Sequence, residues 1–380
     1  LIFRNQKYKN VFIKYRTFNL IVYLRFRMKK IFLNTTLLGL MYLNISHGAN
    51  AQSTIDIPEA PSTVNAIYVS QSSKKALNPS EKIDRLYNRN LQQEYVLQRM
   101  TEHTYFFQSQ FYGTMFYVGE KGVLLFDPVE NAGEKILKAI SEVTKLPVTT
   151  IVYSHAHADH ISSAPVIVEA SKKAGVKVRI ISSDATAELL NRIKSKLPKP
   201  TETIPFKNGS FNFEGVNVQV HGFKYAAHTA DTGVWLIPSE KVAHIPDLIN
   251  ADQLPYWGFA GAEVPLYFEE NLKELKSLNW VFLSGGHGNV GSKADVDFYL
   301  EFLKDMKQAV GQSYGVVQWG VGAPDPQKTN SHMAQLPAYL DAIGNQATEY
   351  LRPKYGQYYG FETSVPKNGE ITALLMYAYQ

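Results

Sequence analysis

Between Val152 and His160 the chain reads VYSHAHADH, which puts three histidines and an aspartate within six positions of a protein that has ten histidines in all. A helix would scatter these side chains around its circumference. A continuous strand would place His155, His157 and Asp159 on one face and His160 on the other. Imidazoles crowded together also repel once they protonate. A loop at the end of a strand, wrapped around metal, uses all four donors. Three further residues suit the same chemistry. His228 follows an extended stretch (Phe223 to Ala227), Asp247 follows a strand over 241–245, and His287 sits within Gly285-Gly286-His287-Gly288 after a strand over 280–283. Loops at the C-terminal ends of strands are where layered α/β proteins place their sites, and glycines beside His287 let the backbone approach closely. His244 is either an outer support to Asp247 or a satisfied strand histidine. His103, His221 and His332 are read as structural.

These donors need elements that hold them. Tyr105 to Phe116 and Gly122 to Phe126 are β-rich runs either side of a turn at Gly119-Glu120-Lys121-Gly122. Residues 134–145 carry a helical stripe (Ile136, Leu137, Ile140, Val143), and the apolar strand Val148 to Tyr153 delivers the chain to His155. Helices over 161–174 and 183–197 flank a strand at 176–181. Asn208-Gly209 signals a hairpin turn before the alternating run Phe211 to Val220. A hairpin around Pro238, a helix over 268–278 and a capping box at Ser292 to Asp295, opening a helix to about Val310, complete the series. Two strand series with helices outside predict a layered α/β architecture. Before it, residues 52–104 read as a linker with one helix over 80–98. After it, residues 311–380 form an aromatic-rich extension with one helix over 331–351 and no assignable role.

The formal charge of +5 (39 Lys+Arg, 34 Asp+Glu) is carried at one end: residues 1–51 hold nine Lys/Arg and no acid, leaving 30 against 34, or −4, for the remainder. A nucleic-acid partner therefore has no basic surface to bind. Met28-Lys29-Lys30, the apolar run Ile31 to Leu43 and Ala49-Asn50-Ala51 read as a signal peptide cleaved after Ala51, with Met28 the expected true start. The alternative is a basic amphipathic arm on a membrane surface. The apolar run is too short to span a bilayer, so a periplasmic or secreted protein with no stable membrane span is expected. The absence of cysteine agrees with that compartment and removes thiolate from the possible ligands.

The set His155-x-His157-x-Asp159-His160, then His228, Asp247 and His287, resembles the metallo-β-lactamase superfamily of hydrolases over about residues 105–310. That resemblance implies an αββα four-layer sandwich with a dinuclear site, usually zinc, between the sheets. It implies that His155, His157 and His228 bind one metal, that Asp159, His160 and His287 bind the other, and that Asp247 bridges them. Imidazole and carboxylate donors independently suit Zn²⁺, at bond lengths of about 2.0–2.2 Å. A water shared by two such ions loses its proton near neutral pH and needs no separate base. Asp159 is then catalytic as well as a ligand, because its loss would misplace that nucleophile.

Departures from particular branches narrow the substrate. Cysteine-dependent β-lactamases are excluded by composition, and the branch closest in its histidines usually lacks an aspartate like Asp247. Alkylsulfatases of the superfamily use a glutamate where this chain has His228, redox relatives put a carboxylate at position 157, and the nuclease branch needs a basic groove. Glyoxalase II-like thioesterases and lactonases share the full ligand set. The loop after Asp247 contributes Tyr256, Trp257 and Phe259, and no Lys or Arg occurs from Val242 to Leu272. An exported hydrolase of an apolar lactone or ester, a small-molecule substrate, is expected. β-Lactam hydrolysis, sulfate-ester hydrolysis and a non-catalytic metal-binding module are the alternatives.

Overall fold

The computed structural model describes residues 61–84, 93–323 and 329–379. The predicted signal segment 1–51, with its cleavage point, lies outside them, as does the middle of the helix expected over 80–98.

A short parallel pair, β1 (Ile67–Val69) and β2 (Glu81–Ile83), precedes a seven-stranded sheet. That sheet runs in chain order through β3 (Val96–Arg99), β4 (Thr104–Ser109), β5 (Tyr112–Val118), β6 (Val123–Phe126), β7 (Val148–Tyr153), β8 (Arg179–Ser183) and β9 (Glu202–Ile204). Neighbours from β3 to β6 are antiparallel; from β6 onward they are parallel. The parallel half requires crossovers, and helices α1 (Gly133–Val143), α2 (Ala158–Ile161), α3 (Ala164–Lys173) and α4 (Asp184–Arg192) supply them. A second, five-stranded sheet follows: β10 (Lys207–Phe213), β11 (Val216–Gly222), β12 (Gly233–Ile237), β13 (Val242–His244) and β14 (Phe282–Ser284), with only the last pair parallel. Helices α5 (Phe268–Ser277), α6 (Lys293–Tyr314), α7 (His332–Tyr355) and α8 (Phe361–Ala378) complete the described elements.

The side-chain alternation of the strands decides the layering. On β4 to β6, Phe106, Met115, Leu124 and Phe126 face one way and join Val218, Val220, Trp235 and Ile237 of the second sheet in a common core. Their neighbours Phe107, Phe116, Val123 and Leu125 face the other way, onto α1 and α3 through Ile136, Ile140 and Ile167. The outer face of the second sheet, with Val234 and Leu236, is covered by Leu272, Leu275, Val296 and Tyr299 of α5 and α6. Each such side chain, taken fully from water, contributes about 1.5–3 kcal/mol. The result is the αββα four-layer sandwich. A fifth layer is added where α7 and α8 pack on α6 around Phe302, Met306, Ile343, Leu351 and Val365.

Some local expectations change. Instead of a helix over 80–98, the described ends of that segment are β2 and β3. Val96 and Leu97 are good residues for either state, but their burial and the ladder to β4 favour the strand. The run Tyr105 to Phe116 is itself a hairpin, turning at Gln110-Phe111 with Gln110 at φ 54°. Asn208-Gly209 lies inside β10, and the chain reverses at Glu214-Gly215. Gly209 is there for a different reason, because a Cβ would come within 2.2 Å of the Pro205 carbonyl oxygen. The C-terminal extension forms two long helices where one was expected.

Candidate metal centre

The strand β7 ends at Tyr153, and the next residues bind the loop to the neighbouring strands before the first donor appears. Ser154 N–H donates to Asp127 Oδ1 (2.7 Å), and Trp235 Nε1–H donates to the Ser154 carbonyl (3.2 Å). The other Asp127 oxygen accepts from His244 Nε2 (2.8 Å), with both residues fully buried. His244 is therefore a strand histidine held through Nε2 by Asp127, with Nδ1 buried and unpartnered, and Asp127 is the support that the sequence reading missed. Its signal was an aspartate closing the apolar run Val123 to Phe126.

All seven predicted donors converge. His155, His157, His228 and Asp247 form one group able to hold a metal ion, and Asp159, His160, Asp247 and His287 form a second. Within each group the ligand atoms lie within 4.8 Å of one another. Asp247 is common to both. Its Oδ2 lies 3.0 Å from His160 Nε2, 3.2 Å from His228 Nε2 and 3.6 Å from His155 Nε2, while Oδ1 lies 3.0 Å from His287 Nε2. Asp159 Oδ2 is 3.4 Å from His160 Nε2 and 3.5 Å from His287 Nε2, and His157 Nδ1 is 3.0 Å from His228 Nε2. Two ligands on one ion with bonds of about 2.1 Å at tetrahedral angles stand ~3.4 Å apart, so these separations match a shared metal. His155 Nε2, buried without a hydrogen-bond partner, also fits a ligand atom better than a structural one.

The loops that carry Asp247 and His287 are stitched together. Asp247 N–H donates to the Gly285 carbonyl (3.0 Å), and Asp247 itself adopts φ 65°. Gly286 passes so close to the first cluster that a Cβ would sit 2.8 Å from His160 Cε1, and its φ of 85° suits glycine as well. The β4–β5 hairpin tip closes the far side. Gly113 N–H donates to the Gly286 carbonyl (2.6 Å), and His287 Nδ1–H donates to the Phe111 carbonyl (3.0 Å). That bond fixes the tautomer and leaves Nε2 facing the carboxylates.

Electrostatics divide the two groups. Burial, with His160 and His228 nearby, holds the His155 imidazole well below the ordinary range; burial and His228 also lower His157. On the other side burial opposes charge on His287, yet its hydrogen bonds to Asp159 and Asp247 lift it to about 10, and Asp247 raises His160 against burial in the same way. Burial works against ionised Asp247, but His160, His228 and His287 outweigh it and hold the carboxyl well below its usual range. The carboxylates stay ionised, as ligation requires, and each histidine ligates only as the neutral imidazole.

Five of the donors, His157, Asp159, His228, Asp247 and His287, line a cavity of about 630 Å³, with His155 and His160 buried behind them. Phe111, Tyr112, Tyr256 and Trp257 also line it, and no Lys or Arg occurs among the described residues lining it. Of the three aromatics expected there, Tyr256 and Trp257 are 56% and 49% exposed, whereas Phe259 is buried against Phe268. The chain manages this split by four consecutive left-handed residues, Gly258 to Gly261 (φ 66°, 53°, 61° and 64°). For the two that are not glycine, Phe259 and Ala260, that conformation costs about 1–2 kcal/mol each.

The sequence profile of the metallo-beta-lactamase superfamily matches residues 110–287. Solved structures similar to the chain include a metallo-beta-lactamase from Pontibacter korlensis (21% identity, 55% of this chain and 98% of that one, TM-score 0.46). Another is a metallo-beta-lactamase from Erythrobacter litoralis (15% identity, 56% and 97%, TM-score 0.46). No curated protein matches. The matched segment contains every one of the seven converging donors, and over residues 110–287 the chain carries the pattern of the metallo-beta-lactamase superfamily.

Proposed function

We propose that the chain is an exported hydrolase of an apolar lactone or ester, working with two divalent metal ions, zinc by the chemistry of its donors. The observation that carries the proposal is the pair of four-donor groups sharing Asp247 beneath an aromatic groove without cationic side chains. Metal bound there supplies an acidified water as nucleophile and positive charge for the oxygen of the carbonyl under attack.

The chain's own residues do the rest. His155, His157 and His228 would hold one ion, Asp159, His160 and His287 the other, with Asp247 in reach of both groups. Asp159 lines the cavity with its side chain 34% exposed, more than the other carboxylate, so as a ligand it would hold its ion on the side open to the groove. Tyr256, Trp257 and Phe111 offer flat apolar contact for an acyl chain and exclude water from it. Sulfate and phosphate esters ordinarily need an Arg or Lys clamp, which the groove does not offer. β-Lactams remain second, since their uncharged acyl carbonyl suits the same floor. Export rests on the signal-type pattern ending at Ala51.

The test is a turnover panel on zinc-loaded full-length protein: lactones and esters of increasing acyl length, β-lactams, and sulfate esters. The expected outcome is the highest kcat/KM on long-chain lactones or esters. A preference for sulfate esters, or metal binding without turnover of any of them, would reject the proposal.

A further inference from the structure

Among the described residues, the C-terminal helices meet the loop beside the groove through the apolar contact of Ile371 and through the hydrogen bonds of one polar side chain. Asn368 of α8 is fully buried. Its Oδ1 accepts from Phe259 N–H (3.1 Å), and its Nδ2 donates to the Pro255 carbonyl (2.8 Å). These partners bracket Tyr256, Trp257 and Gly258, the segment that presents two aromatic rings to the cavity. The same segment runs directly into the left-handed residues 258–261, a conformation that persists only where surroundings over-determine it. The helix that carries Asn368 is well anchored. Gly369 and Gly344 let α8 and α7 cross so closely that a Cβ on Gly369 would lie 3.0 Å from Gly344 Cα. Tyr314 Oη–H of α6 donates to the Ala373 carbonyl (2.7 Å).

We propose that α7 and α8 are a specificity element of the groove and that Asn368 is the positioning residue through which they act, fixing Tyr256 and Trp257 at the spacing that an extended acyl chain requires. This rests on the groove being the substrate site and adds the device that sets its selectivity. Without the clamp, the loop would relax from its left-handed turn and the two rings would lose their fixed separation. The metal ligands would stay where they are, since none is bonded to α8.

The test uses full-length, zinc-loaded protein in a Trp319→Phe background. Trp235 and Trp280 are buried, so Trp257 then reports as the exposed tryptophan. Asn368→Leu removes both hydrogen bonds, and Asn368→Asp keeps the acceptor but loses the donor to Pro255. Thr372→Val, which breaks a buried hydroxyl bond to the Asn368 carbonyl one turn along the same helix, controls for general loosening of α8. Acrylamide quenching of Trp257 and the affinities for butyrate and decanoate are measured alongside KM and kcat for short and long acyl substrates. Asn368→Leu is expected to weaken decanoate relative to butyrate by about fivefold, with zinc content unchanged. Asn368→Asp should give a smaller shift in the same direction, and Thr372→Val none. KM for long substrates should rise while kcat on the shortest stays within about twofold. If Asn368→Leu leaves the decanoate-to-butyrate ratio and Trp257 quenching as in the parent, or if Thr372→Val shifts them equally, the proposal is wrong. Asn368-dependent decanoate binding in a protein that turns over no ester or lactone would overturn the hydrolase reading and leave this one standing.

Discussion

Lys82 is buried at 1% exposure, an unusual place for an ammonium. It donates to both oxygens of Asp295 (3.0 and 2.8 Å) and to the Val290 carbonyl (2.9 Å), with Asp252 Oδ1 at 3.9 Å. Lys82→Met keeps most of the volume and removes the charge. Asp295 keeps the Ser292 N–H and hydroxyl on Oδ2 (2.7 and 2.8 Å) but loses the donor on Oδ1. Breaking a buried ion pair on one side costs about 3–5 kcal/mol. The retained donors, with Asn289 and Tyr68 on Asp252, favour the lower end, about 3 kcal/mol. Burial already raises the Asp252 carboxyl against the pull of Lys82, and removing Lys82 raises it further. A carboxyl whose folded pKa exceeds its unfolded one contributes stability at low pH that is lost as pH rises through the folded value. The deficit of the variant should therefore be larger at about pH 8 than at about pH 5. Urea midpoints at the two pH values measure it. A deficit under about 1 kcal/mol, or one that shrinks as pH rises, would refute the reasoning. Since Val290 and Ser292 follow His287 closely, zinc affinity should also weaken.

Other outcomes are open to direct measurement. His155→Ala and Asp159→Ala should each lower bound metal from about two per chain and reduce turnover by a hundredfold or more, about 2.7 kcal/mol; Asp159→Ala with normal turnover would remove its assigned role. Asp247→Asn should lose metal affinity, by titration against a chelator, before it loses thermal stability. Trp257→Ala should raise KM about tenfold for long acyl chains and little for short ones: a Trp exposes up to about 250 Å², half is open here, and a ligand covering half of that gains about 1.5 kcal/mol. Intact mass of exported protein should show an N-terminus at Gln52, and a secreted form retaining Tyr42 would reject the cleavage assignment.

The candidate metal centre was legible because its chemistry shows in the sequence. In a chain without cysteine a metal site draws on imidazole and carboxylate donors, and no packing requirement would crowd His155, His157, Asp159 and His160 together. The sandwich was legible from strands that alternate between two buried faces. What escaped had no local signal. Val96 and Leu97 fit a helix as well as a strand until β4 pairs with them. Asn208-Gly209 has the letters of a turn, but Gly209 answers to the backbone of Pro205. Asn368 looks like any polar residue in a helix, and its role depends on a loop 109 residues away. Asp127 and the Phe111 carbonyl likewise act on residues remote in sequence, and a carbonyl carries no side-chain identity to read.

The hairpin tip between β4 and β5 has a consequence for how the protein can vary. Surface turns ordinarily accept insertions and deletions freely. This one is locked in register to the loop after β14 by the Gly113 and His287 hydrogen bonds, so its length is tied to the orientation of one imidazole. Phe111, 58% exposed at the rim, can change identity without cost to that bond, because only its carbonyl is used. The rim of the cavity can therefore drift by substitution at this tip, whereas one added residue would disturb the candidate ligand His287 before it reshaped the rim.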